Sequence, residues 1–454
     1  MTGPIWDYRS TVPGTDWPAI PGQEAADLLA LQFQLERTQW LSAERLRELQ
    51  LQQLDALLRH AYATVPYYRE RWRGLCDPAQ PLTPEGFSRL PLLERSELQA
   101  QFDALKSTGV PPAHGPVTES RTSGSTGQPV RVLKTALTEL FWRVLTLRDH
   151  SWHQRDLGGK LAVLRLGVPD GLADGWGPPT DRVAVTGQCA TLSMRADVDA
   201  QLEWLARQQP DYLLCYPSTL AELAGRSLTR GQRMPRLREV RTISEVLTPE
   251  IRELCEQAWG VPVTDTYSSQ EVGQIALQCP AGTLYHVQSE ALVVEVLDEE
   301  GRPCGPGELG RVVITTLHNF AMPLVRYDIG DYAEIGSPCA CGRGLPVLAR
   351  IAGRARNLLV LADGRRYWPR LGSRNFVEVA PVLQAQYVQK DFDLIEVRLV
   401  VAQPLGREQE DRLRQMILPG LPPGMRIAFT YCDRISRGAG GKYEDFVSEV
   451  AARR

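Results

Sequence analysis

Arg121-Thr122-Ser123-Gly124-Ser125-Thr126-Gly127-Gln128-Pro129-Val130 is the stretch from which the rest of the chain is read. Two glycines and four hydroxyl residues stand together here, just before the β-branched run Val130-Arg131-Val132-Leu133. Glycine lets backbone amides approach a ligand closely, and serine and threonine hydroxyls add hydrogen-bond donors. Successive amides in such a turn make a concave, partly positive site that suits phosphate oxygens. The Gly-x-x-x-x-Gly-Lys-Ser/Thr spacing of a Walker A loop is missing. In isolation an ordinary Gly/Ser surface turn would read the same way.

Working outward, 454 residues are enough to bury a large core and to divide into more than one domain. A hydrophobic share of 43% and a charged share of 23% are ordinary for a globular protein. The net charge of −3, with no long block of like charge, argues against a nucleic-acid partner. No apolar run has membrane-span length, and the first residues lack a signal-peptide pattern. Nine scattered cysteines fit reduced thiols better than a disulfide framework. The expectation is a cytoplasmic protein without a membrane partner.

Upstream of the loop, residues 23–72 carry leucines at helical spacing, and Pro66 is placed to start a new helix. Downstream, short apolar runs at 161–166, 183–185, 212–215, 240–243 and 261–266 read as buried strands. Helical stretches at 197–208, 218–229 and 248–258 separate them, the last with Thr248 as N-cap and Pro249 at the first helical position. Such alternation predicts α/β layers with a mostly parallel sheet. Strands and Gly/Pro turns then dominate, with runs at 292–297, 312–316 and 332–335. After Gly353-Arg354 come runs at 358–361, 395–401 and 427–431, an Asp363-Gly364 turn, a helix at 407–417, and a short helix after Tyr443. The predicted plan is a large N-terminal domain, residues 1–353, with a β-rich subdomain at about 285–350, and a small α+β domain, residues 354–454.

Four motifs follow the glycine loop in order: Tyr267-Ser268-Ser269-Gln270-Glu271 after a buried strand, Tyr327-Asp328-Ile329-Gly330-Asp331 behind Arg326, Gly353-Arg354, and Lys442 in a glycine-rich segment. Together with the loop they resemble the adenylate-forming superfamily of acyl-CoA synthetases, peptide-synthetase adenylation domains and luciferases. The phenylacetate–CoA ligase and CapK-like branch is the nearest match, from about residue 55 to the C-terminus. The resemblance implies a ligase that joins a carboxylic acid to AMP, releases pyrophosphate and passes the acyl group to a thiol. CoA is the default acceptor; a carrier-protein thiol, an amine, or a silent nucleotide-binding relative are the alternatives. A homodimer is the candidate assembly.

By the same resemblance, Ser123, Gly124, Ser125, Thr126 and Gly127 hold the β- and γ-phosphates. Tyr267 stacks on adenine, bordered by Ser244 and Glu245, and Glu271 ligates Mg²⁺, a hard cation that prefers oxygen. Relatives usually carry Gly at position 268 and Ser or Thr at 270; Gln270 can still donate to a phosphate. Asp331 accepts from the ribose hydroxyls, Arg326 and Arg354 contact ribose or phosphate, and Lys442 is the catalytic lysine. The small domain rotates about a hinge at Arg356, where relatives carry Asp or Lys. Tyr216, Pro217, Ser268 and Ser269 bound the acid pocket, which suits a small or aromatic acid.

A metal reading stands apart from this chemistry. Cys279, His286, Cys339 and Cys341 offer three thiols and an imidazole, a set that makes a closed tetrahedral zinc site. Buried free thiols that happen to lie close are the alternative. Of the other histidines, His150 and His153 are expected at a helix end on the surface, and His60 and His114 are expected to be exposed. His318 has no demanding signal.

Overall fold

The computed structural model describes residues 6–75, 80–122, 129–354, 357–367, 369, 376–435 and 446–450. The N-terminal third is helical: α1 (Gln23–Thr38), α2 (Ala43–Thr64), α3 (Pro66–Arg71), α4 (Pro84–Ser88) and α5 (Arg95–Ala100). Pro66 opens α3 as expected, because a first-turn N–H has no intrahelical partner to lose. A hairpin, β1 (Val117–Arg121) with β2 (Arg131–Thr135), leads into α6 (Ala136–Trp152).

Next come β3 (Leu161–Arg165), β4 (Gly171–Ala173), α7 (Thr180–Val183), β5 (Cys189–Ser193), α8 (Val198–Gln208), β6 (Tyr212–Cys215), α9 (Pro217–Arg230), β7 (Glu239–Ile243), α10 (Pro249–Trp259) and β8 (Val263–Ser269). Strands β8, β7, β6, β3 and β5 are neighbours in that order and run parallel. The expected strand at 183–185 is instead the end of α7 and an extended residue, and β5 takes its place in the sheet. Thr248 caps α10 by accepting from the amide of Ile251, as its sequence implied.

The sheet continues past β8 through β9 (Gly273–Gln278), β10 (Tyr285–Val287), β11 (Leu292–Leu297), β12 (Leu309–Thr316), β13 (Tyr327–Ile335) and β14 (Val347–Arg354). These pairings are antiparallel, so one mixed twelve-stranded sheet spans the α/β and β-rich regions. The α/β class stands, but only five strands, β8 to β5 towards one end of the sheet, are parallel. β9 and β14 escaped the sequence reading because β9 carries two glutamines in a fully buried strand and β14 is broken by Arg and Gly.

Side-chain alternation splits the parallel strands between two cores. Ala162, Leu164, Leu213, Cys215, Val240 and Val263 face α8, α9 and α10. Leu161, Val163, Cys189, Tyr212 and Leu214 take the other face with Trp176. On that second side, α6 presents Val144, Leu145 and Leu147 to α1. Helices α2 and α3 pack with the antiparallel strands in a further core that includes Leu57, Tyr68, Val312 and Tyr327.

A hairpin of β15 (Leu359–Val360) and β16 (Arg366–Tyr367) turns at Gly364, whose φ is +88°. It is followed by α11 (Phe376–Val379), β17 (Val382–Asp391), β18 (Leu394–Val401), α12 (Arg407–Ile417), β19 (Arg426–Tyr431) and β20 (Phe446–Ser448). These last strands form a separate sheet in the order β19-β18-β17-β20. Ile395, Val397 and Leu399 on β18 pack against Leu413 and Ile417 of α12. The expected helix after Tyr443 is the strand β20, parallel to β17.

Candidate active site

A cleft of about 2340 Å³ opens at the C-terminal ends of the parallel strands. Open α/β sheets place ligands there because loops and helix N-termini converge at those ends. Its walls include Ser244, Glu245, Tyr267, Ser268, Ser269, Gln270, Glu271, Asp331 and Arg354, and also Val382 and Gln384 of the C-terminal sheet.

β8 delivers the first cluster. The Tyr267 hydroxyl donates to Asp331 Oδ2 at 2.9 Å, and Asp331 Oδ1 meets Arg354 Nε at 2.9 Å. Asp331 and Arg354 face each other across the β13–β14 pair, so sheet register fixes this contact. Burial and the neighbouring Asp331 charge push the Tyr267 phenol well above its ordinary range. Arg354 Nη1 also donates to the carbonyl of Ile329 at 2.7 Å. Gly353 beside it has a φ of +82°, and a Cβ there would come within 2.8 Å of Val246 Cγ2. Only glycine suits that position.

Glu271, on the turn after β8, is 3% exposed and pairs with Arg95 at 3.0 Å. Lys134 also lines the cleft, and burial lowers its pKa despite the nearby carboxylates of Glu139 and Glu271. Arg95 and Lys134 therefore bring two cations to the acidic turn, and the sequence reading had passed over both. A signal was present: Arg95 opens a capped helix, and Lys134 is a charge within the short strand β2. At the end of β7, Ser244 is held at a φ of +73°, a strained conformation for a non-glycine residue. Glu245 next to it accepts from the amide of Ser218 at 3.0 Å, at the start of α9.

Four expectations shift. Arg326 does not line the cleft: its guanidinium pairs with Glu295 at 2.9 Å and donates to the carbonyls of Ser88 and Leu90. It is a strut between the sheet and α4. Pro217 occupies the buried first turn of α9, so Tyr216 and Ser218 line the cleft but Pro217 does not. His150 is buried in the cleft wall and His153 is half-buried, rather than both lying on the surface. His318 is stacked on Phe141 with ring centroids 3.8 Å apart, and its Nε2 bonds the carbonyl of Glu290. His60 and His114 are half-buried against Phe320 rather than exposed.

Ser123, Gly124, Ser125, Thr126, Gly127, Arg356 and Lys442 lie outside the described residues. The base of the glycine loop is described. Thr122 and Val130 exchange two hydrogen bonds of 2.9 Å, one through the Thr122 hydroxyl, at the loop end of the β1–β2 hairpin.

Away from the cleft, the ligand atoms of Cys279, His286, Cys339 and Cys341 all lie within 4.8 Å of one another. Cys279 Sγ and Cys339 Sγ are 3.7 Å apart, and Cys341 Sγ is 3.3 Å from His286 Nε2. A tetrahedron with Zn–S bonds of about 2.3 Å has S···S edges of about 3.8 Å, so the donor set fits a metal. Trp152 packs edge-on against His286. Arg343 in the same loop donates to Gln39 at 2.9 Å, which ties this corner to the end of α1.

No protein-family model matches the chain. It is 27% identical over 395 residues to a phenylacetate–coenzyme A ligase of Thermus thermophilus, covering 81% of this chain and 84% of that enzyme. It is 25% identical over 339 residues to the phenylacetate–coenzyme A ligase of Escherichia coli K12, covering 72% and 75%. Among solved structures, a 2-hydroxyisobutyryl-CoA ligase bound to 2-HIB-AMP in its postadenylation state superposes with a TM-score of 0.72 at 18% identity, over 92% of both chains.

Proposed function

We propose, for a chain that belongs in sequence and fold to the adenylate-forming superfamily, ATP-dependent activation of a carboxylic acid and transfer of the acyl group to CoA. The observation that carries this reading is the convergence of Tyr267, Asp331, Arg354 and Glu271 on one cleft at the strand ends. Asp331, oriented by Tyr267 and Arg354, accepts from the ribose hydroxyls. The ring of Tyr267 and the segment from Ser244 to Val246 flank adenine. Gln270 and the hydroxyls from Ser123 to Thr126 donate to phosphate oxygens, with Arg95 and Lys134 adding positive charge beside them.

In the first step an oxygen of the acid attacks the α-phosphorus and the bond to the β-phosphate breaks, releasing pyrophosphate. In the second, the CoA thiolate attacks the acyl carbon and AMP leaves. Glu271 would hold Mg²⁺, which neutralises phosphate charge when bound. Lys442 supplies a point charge to the phosphate as negative charge develops. Residues 354–454 form the small domain, and rotation about Arg356 switches the cleft between the two steps.

Cys279, His286, Cys339 and Cys341 hold a structural zinc with no open position for chemistry. The described cysteines are all free, which suits a reducing, cytoplasmic compartment.

The test is acid-dependent ATP–pyrophosphate exchange across aryl, heteroaryl, fatty and amino acids, followed by CoA consumption, with Lys442→Ala as control. Exchange with one class that disappears in the variant supports the reading. ATP binding without exchange for any acid overturns it.

A further inference from the structure

The cleft extends from the strand ends into a channel between α6 and the sheet. Glu139, Trp142, Thr146 and His150 recur every three or four residues, so they share one face of α6 and all line the cavity. Opposite them are Val163, Leu214, Arg241, Ile243 and Gln274, which alternation places on the same face of the sheet. Register sets the depth. Ser268, at the mouth, and Thr264, level with Arg241, are four residues apart on β8, or roughly 13 Å. Trp142 and His150 are eight residues apart on α6, or about 12 Å.

The inner end is polar, and its groups are held in place from behind. Arg155 pairs with Asp149 at 2.6 Å and with Glu239 at 2.7 Å, and Arg241 donates to Asp149 at 2.9 Å. Two guanidinium groups and two carboxylates balance, so this end is neutral overall. Arg155 Nη1 lies 3.3 Å from His150 Nδ1. A guanidinium only donates, so Nδ1 accepts and the ring proton sits on Nε2. Burial and the two arginines also keep this imidazole uncharged. Trp176 closes the end, with its ring centroid 5.5 Å from that of His150. Nearer the mouth, level with Ser268, the Gln274 amide donates to the Thr146 hydroxyl at 2.7 Å, while Gln274 Oε1 is buried with no partner. Gln274 is 7% exposed. A buried amide oxygen with an unfilled acceptor site beside an apolar slot awaits a donor.

We propose that the acid this site activates is a flat, apolar acid carrying an uncharged hydroxyl-type group at the end remote from its carboxyl, recognised by His150 and Arg241 with Gln274 and Thr146 along the channel. The inference rests on the ligase reading above and names its substrate class. Val163, Leu214, Ile243 and Trp176 supply the apolar walls. Because the ion pairs at the inner end are already balanced, a second carboxylate would arrive as an unpaired buried charge. A hydroxyl can accept from His150 or Arg241 without that cost. Acids with only an apolar end would leave those donors unpaired, and sites built to bond a hydroxyl reject such analogues strongly.

The experiment measures kcat/KM for ATP–pyrophosphate exchange with benzoate, phenylacetate and cinnamate, each beside its para-hydroxy and para-carboxy counterparts. The expected result is a preference of at least about tenfold for the hydroxy member in one length series, with the carboxy member poorest. In His150→Phe the ratio of hydroxy to unsubstituted acid should fall towards one. Thr146→Val, a milder change, should reduce the ratio more weakly. If the wild-type enzyme exchanges best with the unsubstituted or carboxy acids, the substrate class is wrong while the ligase reading survives. A hydroxy preference untouched in both variants would remove these residues from recognition. No exchange with any of the nine acids or the wider panel overturns the ligase reading and this inference with it.

Discussion

The two ends of the cleft use the same residue types for opposite purposes. At the strand ends, Arg354 and Asp331 pair on the cleft wall and stay partly open to it, with side-chain exposures of 29% and 12%. At the inner end, Arg155 is fully buried and spends its guanidinium on Asp149, Glu239 and Thr264. Burial alone would raise the Asp149 pKa, but Arg155 and Arg241 hold it well below the usual carboxylate range. An ion pair that keeps a face to the cavity can serve a ligand; one saturated on every side serves the fold. Arg326 belongs to the second kind, although its sequence neighbours belong to the first.

The comparison breaks if substitutions at the two ends behave alike. The largest effect is expected at the mouth. Glu271→Gln should lower the rate of adenylation by about 10²–10³-fold while leaving the thermal transition near that of the parent protein. Arg155→Met should do the reverse, lowering unfolding free energy by about 3–5 kcal/mol in denaturant titrations, because two buried carboxylates lose a partner. A folded, fully stable Arg155→Met protein would erase the distinction.

The Cys/His corner sharpens it further. Cys339→Ser, or prolonged chelation, should remove about one equivalent of zinc by elemental analysis and lower Tm without changing the KM for ATP. Free alkylation of Cys279, Cys339 and Cys341 in the folded, untreated protein would count against a bound metal.

Buried histidines predict a pH signature from the scaffold. Burial lowers the pKa of His318 to about 4, and that of His150 lies well below its ordinary value. The unfolded chain takes up these protons near pH 6.5. Each residue therefore contributes stability that is full above about pH 6.5 and is lost as the pH falls towards the folded-state value. The slope should approach about 1.4 kcal/mol per pH unit for each, and His318→Gln should flatten its share in unfolding titrations between pH 7 and 5. The smallest effect is expected for Tyr267→Phe, which removes one donor to Asp331. It should raise the KM for ATP by about fivefold, equivalent to about 1 kcal/mol.

Local signals were legible where one short segment carries its own physics. Helices α3 and α10 start where a proline fits the first turn, and β6, β7 and β8 show as brief apolar runs. The Cys/His set was legible as a donor list, though its members come from separate parts of the chain. β9 and β17 were missed because buried glutamines interrupt their apolar pattern: Gln278 accepts from the Asp265 amide, and Gln389 bonds the main chain of Val360. Polarity of that kind is invisible as strand until its partner is known.

The sequence by itself determined the α/β class, the order of the motifs and the chemistry their residue types permit, because periodicity, caps and turn residues act over a few positions. Only the tertiary structure decided that Arg326 is a strut, that Arg95 and Lys134 stand at Glu271, and that His150 and Arg241 line one cavity. Those facts depend on which partners long-range packing brings within 3–4 Å. A side chain's charge is written in the sequence, but whether that charge is already satisfied is settled only by its neighbours in space.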